Sequence, residues 1–261
     1  MRRELTFLTA LWKANLLAAM EYRVSFISQV VGMILNDGVY FLFWVIFFDR
    51  FQKVRGWGLT DMFVLFGVVA TGFGLGVFLF GNVLSLSEII SGGRLDYFLS
   101  MPRSVLVHVL ASKCVISGLG DATYGVISFL FARQYRVDAI LRFLVGSLLS
   151  MIIFLSFLVL VQSLSFWMGN STLLSDQASN AIVTFSLYPI TLFDGTAKLL
   201  LFTLIPAAFI GAIPAEFIRA SDWKQLLWLL LATLIFLTLS IFAFHRGLRR
   251  YESGSAIQTQ V

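Results

Sequence analysis

The sequence predicts an all-α integral membrane protein of six transmembrane helices, and three observations predict it. Of its 261 residues, 59% are hydrophobic, the mean hydropathy is +0.89, and 13% are charged, about half the charged fraction usual in a soluble domain. Apolar runs near the ~20 residues that cross ~30 Å of hydrocarbon as a helix recur along the whole length. No polar interval between them is long enough to fold separately, so residues 1–261 read as a single transmembrane domain.

Residues 1–21 open with Arg2 and Arg3 and invite a signal-peptide reading, but Lys13 and Asn15 interrupt the apolar core and no small-residue cleavage site stands clear. At 100° per residue, Leu5, Leu8, Trp12, Leu16 and Ala19 share one face, and Arg3, Thr6 and Lys13 fall away from it. The pattern suits an amphipathic helix lying in the membrane surface, with an extension of the first span as the alternative. Spans follow over residues 24–48 and 62–80, then 105–131, 141–167, 178–193 and 223–244. The segment 199–215 is apolar but carries Pro206 and Pro214. Each proline removes a backbone donor and disfavours helix before it, so two half-helices that enter the bilayer and return are expected. A seventh span is the alternative, and it would put the termini on opposite sides.

The formal net charge of +5 comes from basic residues scattered at the ends of apolar runs. That distribution fits membrane lipids as the contact and argues against nucleic acid. Lys and Arg divide almost evenly between alternate loops, so charge bias alone does not orient the chain. Trp57, Tyr135, Trp167, Trp223, Trp228 and Tyr251 sit near span ends and read as interfacial anchors.

No phosphate loop of the G-x-x-x-x-G-K-[ST] type and no H-E-x-x-H occurs, and the two histidines, His108 and His245, lie far apart. Catalytic residues, a metal site and a bound cofactor are therefore not expected in this chain. The lone Cys114 can form no internal disulfide. Asn170-Ser171-Thr172 matches a glycosylation sequon but falls in a loop assigned to the inner side.

Four groups of residues remain as candidates. Gly67, Gly74 and Gly81 recur every seven residues, with Gly72 and Gly76 as a G-x-x-x-G pair, a pattern that lets helix backbones approach closely within the subunit or against a partner. Asn36 and Asp37, together with Asp121, lie at membrane depth, where the two carboxyls cost a few kcal/mol unless they face protein or water. Proton-relay or substrate duty and a helix-to-helix hydrogen-bonding device are both open to them. Pro206 and Pro214 define the hairpin. The last group lies in the interval 83–102, where Gly92 and Gly93 stop one short helix and Asp96 starts another that ends before Pro102. Its large apolar residues (Ile89, Ile90, Leu95, Tyr97, Phe98, Leu99) alternate with Glu88, Arg94 and Asp96, and no core within the chain is evident for them. A docking surface for another protein is expected there, against the alternative of a solvated loop.

The basic amphipathic start, E-I-I-S-G-G-R-L-D-Y-F-L-S-M-P between the second and third spans, the proline hairpin before the last span and the ending F-H-R-G-L-R-R-Y-E-S together resemble the permease subunits of ABC-2 type exporters. The resemblance is closest to the antibiotic-resistance and daunorubicin-type group and covers nearly the whole chain as an architecture. It implies that Glu88, Gly92, Gly93, Arg94, Asp96 and Tyr97 belong to a cytoplasmic coupling helix seated on a separate ABC ATPase. Two copies of that ATPase would bind ATP and Mg, and a second permease chain, identical or homologous, would complete the path. The resemblance also implies a bacterial plasma (inner) membrane, both termini cytoplasmic, and export of an amphiphilic drug, lipid or lipid-linked glycan. An ion-coupled secondary carrier or channel is the alternative, though carriers commonly show internal repeats with broken helices in both halves, and here only one half has a broken segment.

Overall fold

The computed structural model describes residues 2–220 and 222–252. Among them every regular element beyond a single bridge is helical, as immersion in lipid demands, because a helix satisfies its own backbone groups without water. α1 (Arg2–Glu21) turns at Tyr22 into α2 (Arg23–Arg50), and α3 (Leu59–Leu79) follows. A 3-10 turn (Gly81–Ser85) leads to α4 (Leu86–Ser91), α5 (Leu95–Leu99), α6 (Val105–Ala111) and α7 (Ser117–Phe131). Then come α8 (Val137–Gln162), α9 (Ser165–Met168), α10 (Thr172–Ser186), α11 (Gly195–Thr203), α12 (Ala207–Ile210), α13 (Ala212–Ala220) and α14 (Trp223–Leu248).

Contacts sort the helix ends into two groups. At one end, here the termini end, α1 binds the last turn of α3, Gln162 at the close of α8 binds Leu84, Thr172 at the start of α10 meets Ser87, and Phe244 near the close of α14 packs on Phe166. At the far end, Ser128 of α7 bonds to Phe63 of α3, and Tyr188 packs on Trp44. The chain passes between these ends six times, on α2, α3, α7, α8, α10 and α14. Four helices are long and apolar enough to cross a membrane, namely α2, α3, α8 with its continuation through α9, and α14. α7 and α10 have 15 residues each, about 22 Å at 1.5 Å per residue.

Two expected spans are corrected. The stretch 105–131 is not one helix, since α6 and α7 are separated by an unwound segment at 112–116. Its backbone bonds instead to the end of α3 and the 3-10 turn that follows: Gly81 N donates to Lys113 O at 2.9 Å and Val115 N donates to Val77 O at 3.2 Å, the second filling a carbonyl that the end of a helix leaves open. The stretch 178–193 is displaced, because α10 starts at Thr172 and stops at Ser186. Pro189 biases Tyr188 away from helix, and only a 3-10 turn (Ile190–Leu192) follows.

α1 binds the bundle by capping. Trp12 Nε1 donates to Leu79 O at 2.8 Å and Asn15 Nδ2 donates to Ala111 O at 3.4 Å, so the two polar groups on its inner face fill open carbonyls at the ends of α3 and α6. Glu4 pairs with Arg103 at 2.8 Å, and Arg103 lies over the Phe7 ring. Leu5, on the apolar face, is 60% exposed to the surroundings, as an apolar side chain facing lipid would be.

α3 is the central helix. The glycines at 67, 74 and 81 all face the 113–129 stretch, where a Cβ at Gly67 would stand 3.1 Å from Gly125 O, one at Gly74 2.7 Å from Asp121 Cβ, and one at Gly81 2.8 Å from Lys113 O. Gly72 and Gly76 face α8, at 3.0 Å from Ser147 O and 3.3 Å from Met151 Cγ. Both sets serve packing inside the subunit.

The proline segment folds as two helical halves, α11 and the pair α12–α13, bent by 64°. Pro206 makes the break. Pro214 does not break anything, because it occupies the first turn of α13, where a missing N–H costs little. The carbonyl four residues before Pro214, Ile210 O, which the proline cannot bond, accepts instead from the buried Ser150 hydroxyl at 2.9 Å. Both ends of the segment return to one turn of chain: Asp194, before α11, pairs with Arg55 at 2.8 Å, and Arg219, near the end of α13, donates to Gly56 O at 3.1 Å. Arg219 also pairs with Asp61 at 2.7 Å and covers the buried Trp57 ring at 4.6 Å. Arg219→Met is expected to cost about 2 kcal/mol, between the values for exposed and buried ion pairs. The check is the Tm of the purified protein, and an unchanged Tm would show that this contact does not hold the segment.

Candidate functional site

Two regions bring the expected residues together. At the termini end, α4 closes with a Schellman motif: Arg94 N donates to Ile89 O at 3.0 Å and Gly93 N to Ile90 O at 3.2 Å, with Gly93 at φ +70°. Gly93 supplies the left-handed backbone that this reversal needs, and the chain turns directly into α5. The expected pair of short helices with a glycine bend is thus present.

Its apolar residues divide in a way the sequence did not foretell. Ile89, Ile90, Leu95 and Phe98 are buried in the subunit's own core, which corrects the expectation that no such core existed for them. Glu88, Arg94, Asp96, Tyr97 and Leu99 are exposed, with Tyr97 60% exposed. Glu88 and Arg94 stand 3.8 Å apart, both more than half exposed, so their mutual attraction is weak and leaves them free for another partner.

The element is tied to three passes. Gln162, 1% exposed at the end of α8, accepts from Ser87 N at 2.9 Å and donates to Leu84 O at 3.1 Å. Ser87 Oγ lies 3.0 Å from Thr172 Oγ1 at the start of α10. Beyond α14, the Tyr251 phenol stands beside Asp96, and burial, helped by that carboxylate, pushes its pKa up to about 12. The phenol therefore keeps its proton at every physiological pH and can donate to Asp96. A groove of about 650 Å³ runs alongside, between α4, the turn at Gly169 and Asn170, and the 250–252 end. Sequence reasoning missed Gln162 and this groove, because a single glutamine at a span end carries no periodic signal.

The second region is a cleft of about 440 Å³ between α2, α3, α7 and α10. It brings together Asp37 and Asp121, which lie 84 residues apart in sequence and whose side chains here come within hydrogen-bonding contact. Asn36 lies beside them and is exposed. Asn180, Thr184 and Tyr188 line the opposite wall at helical spacing, a polar stripe whose side chains are open to the surroundings. The glycines that let α7 reach this place were also missed. Gly118, Gly120 and Gly125 meet Gly74, Val30 and Thr71 backbone atoms across the α3–α7 and α2–α7 contacts. The seven-residue spacing from Gly118 to Gly125 repeats that from Gly67 to Gly74, and this was the available signal.

Among the described residues, no group of three or more His, Cys, Asp or Glu side chains could hold a metal ion. No curated protein and no solved structure matches the chain. The family model described as ABC-2 family transporter protein matches residues 34–255, from inside α2 past the end of α14. A multi-pass helical bundle with this match over most of its length belongs to the ABC-2 family of transporters, as a membrane-embedded permease component.

Proposed function

We propose that the chain is the permease subunit of an exporter driven by ATP hydrolysis in a separate ABC ATPase. Two ATPase copies, each with ATP and Mg, would dock on two permease chains, the second identical or homologous to this one. The observation that carries this reading is the α4–α5 element, which offers charged and aromatic side chains outward while the buried Ser87 ties it to α8 and α10 and Asp96 stands beside Tyr251 past the end of α14. A push on its outer face would move three passes together, which is what coupling to a closing ATPase dimer requires.

In this reading the six passes are six spans, both termini are cytoplasmic, and the host membrane is a bacterial plasma (inner) membrane. The cargo is an amphiphilic drug, lipid or lipid-linked glycan, as in the antibiotic-resistance and daunorubicin-type group that the sequence resembles. Co-purification from native membranes is the test. Recovery of a chain with a phosphate loop, and ATPase activity in the recovered complex, is the expected result. A chain that purifies alone and moves cargo on an ion gradient would instead be a secondary carrier.

The α11–α13 segment is re-entrant from the outer face in this reading, supported by the return of both its ends to the 55–61 turn. Cysteines placed at Leu200 and Glu216 in a Cys114-free variant are expected to react with an impermeant reagent from the same side. Reaction from opposite sides would make the segment a seventh span.

A further inference from the structure

The α2–α10 cleft joins a charged pair to an aromatic wall. Its polar and apolar parts are separated along the bundle axis. Asn36 and Asp37 on α2, Asn180 on α10 and Asp121 on α7 form one level. Trp44 and Tyr188, packed on each other at 5.5 Å between ring centroids, form another. From Asp37 to Trp44 is seven residues of helix, about 10 Å at 1.5 Å per residue. Phe66 and Phe73 of α3 line the cleft as well.

The polar level is short of partners. Asp121 is 3% exposed, yet its Oδ2 receives no hydrogen bond from any donor group, and the same holds for Asp37 Oδ2. No Lys, Arg or His lines the cleft, so the chain itself supplies no counter-charge to carboxyls at membrane depth. An ammonium group seated beside the pair would supply the missing counter-charge and donate to the open Oδ2 oxygens. The aromatic level would cover the apolar body, and its rings also attract a cation that passes over them.

We infer that this cleft binds amphiphilic amines, with the protonated nitrogen at Asp37 and Asp121 and the apolar body against Trp44 and Tyr188. The inference deepens the export reading by naming a cargo class, and rests on it for the direction of movement but not for binding. The same chemistry is offered by a free amine and by the headgroup of an aminolipid.

Dodecylamine and its neutral counterpart 1-dodecanol are suitable probes, applied to the purified full chain in phosphatidylcholine nanodiscs. Labelled dodecylamine is expected to bind saturably and to be displaced by excess dodecylamine but not by dodecanol. Asp121→Asn and, separately, Asp37→Asn are expected to weaken binding at least tenfold. Asp37→Asn guards against misfolding of the more buried position, and Trp44→Ala, at the apolar level, is expected to weaken dodecylamine binding as well. In nanodiscs containing phosphatidylethanolamine, loss of dodecylamine binding would name the lipid headgroup as the amine source, and retained binding would name a free amine. Equal binding of amine and alcohol, or parental affinity in both aspartate variants, would overturn the proposal. Because binding is measured without an ATPase, it can fail while the ATPase complex stays intact, and the reverse also holds.

Discussion

Gly118→Leu is expected to abolish accumulation of folded protein in the membrane, and Gly74→Leu to do the same. Across the α3–α7 contact, the Cβ added at Gly118 would lie 2.5 Å from Gly74 O and 2.8 Å from Val77 Cγ2. Overpacking a core costs about 1–3 kcal/mol when neighbouring side chains can rotate away. Here the obstacle is backbone, which has no rotamer to change, so the cost lies at or beyond the top of that range. Against a total stability of about 5–15 kcal/mol, the fraction folded falls steeply. Gly38→Ala serves as the control, because a Cβ there meets nothing within 4 Å, and it is expected to accumulate like the parent. The measurement is the monodisperse fraction after extraction from membranes. A Gly118→Leu protein that extracts normally would mean that α3 and α7 do not approach at backbone distance.

The second large effect is expected at the proposed ATPase contact. Arg94→Glu should leave insertion and extraction unchanged, since the only ion pair it removes is exposed and 3.8 Å long. Binding to the ATPase should weaken by roughly 2–5 kcal/mol if the charge is desolvated in the complex. Asp96→Arg should weaken it similarly but also disturb the contact with Tyr251, which makes Arg94→Glu the cleaner probe. Pull-down and ATPase activity of the purified complex report the outcome. A complex that stays intact and active with both charges reversed would reduce α4–α5 to a solvated connection and remove the observation on which the export reading rests.

The helical, membrane-embedded character was legible because lipid leaves so few solutions for an apolar chain. The ends of α2, α3, α8 and α14 lie within a few residues of expectation, since each is one long apolar run. The short passes were harder. The apolar run over 105–131 is interrupted only at Ser112-Lys113, a signal left unread, and nothing in it announces that residues 112–116 find hydrogen bonds at Val77 and Gly81. α10 begins among polar residues, Thr172, Ser175 and Asp176, that an apolar count leaves out. The glycines of α3, the glycine bend after α4 and the break at Pro206 were legible because their physical meaning is local, whereas Pro214 stays inside a helix and the glycines of α7 went unread. Asp37 and Asp121 were each recognisable as unusual, but their meeting depends on tertiary placement of α2 against α7. The division of α4–α5 into inward and outward residues failed for a related reason: short helices have too few turns for a periodic pattern to emerge.

The reciprocal glycines of α3 and α7 have a genetic consequence. Every missense change reachable from a glycine codon by one base adds at least a methyl group, since the accessible products are alanine, serine, valine, cysteine, aspartate, glutamate, arginine and tryptophan. At Gly74 and Gly118, where that methyl alone would meet backbone, even the mildest step is harmful, whereas at Gly32 and Gly38 it enters open space. A library of single-base variants should therefore be depleted at the first pair and well populated at the second, although a glycine at any of the four positions can change only to members of that set. The helix contact would be readable from survival counts alone.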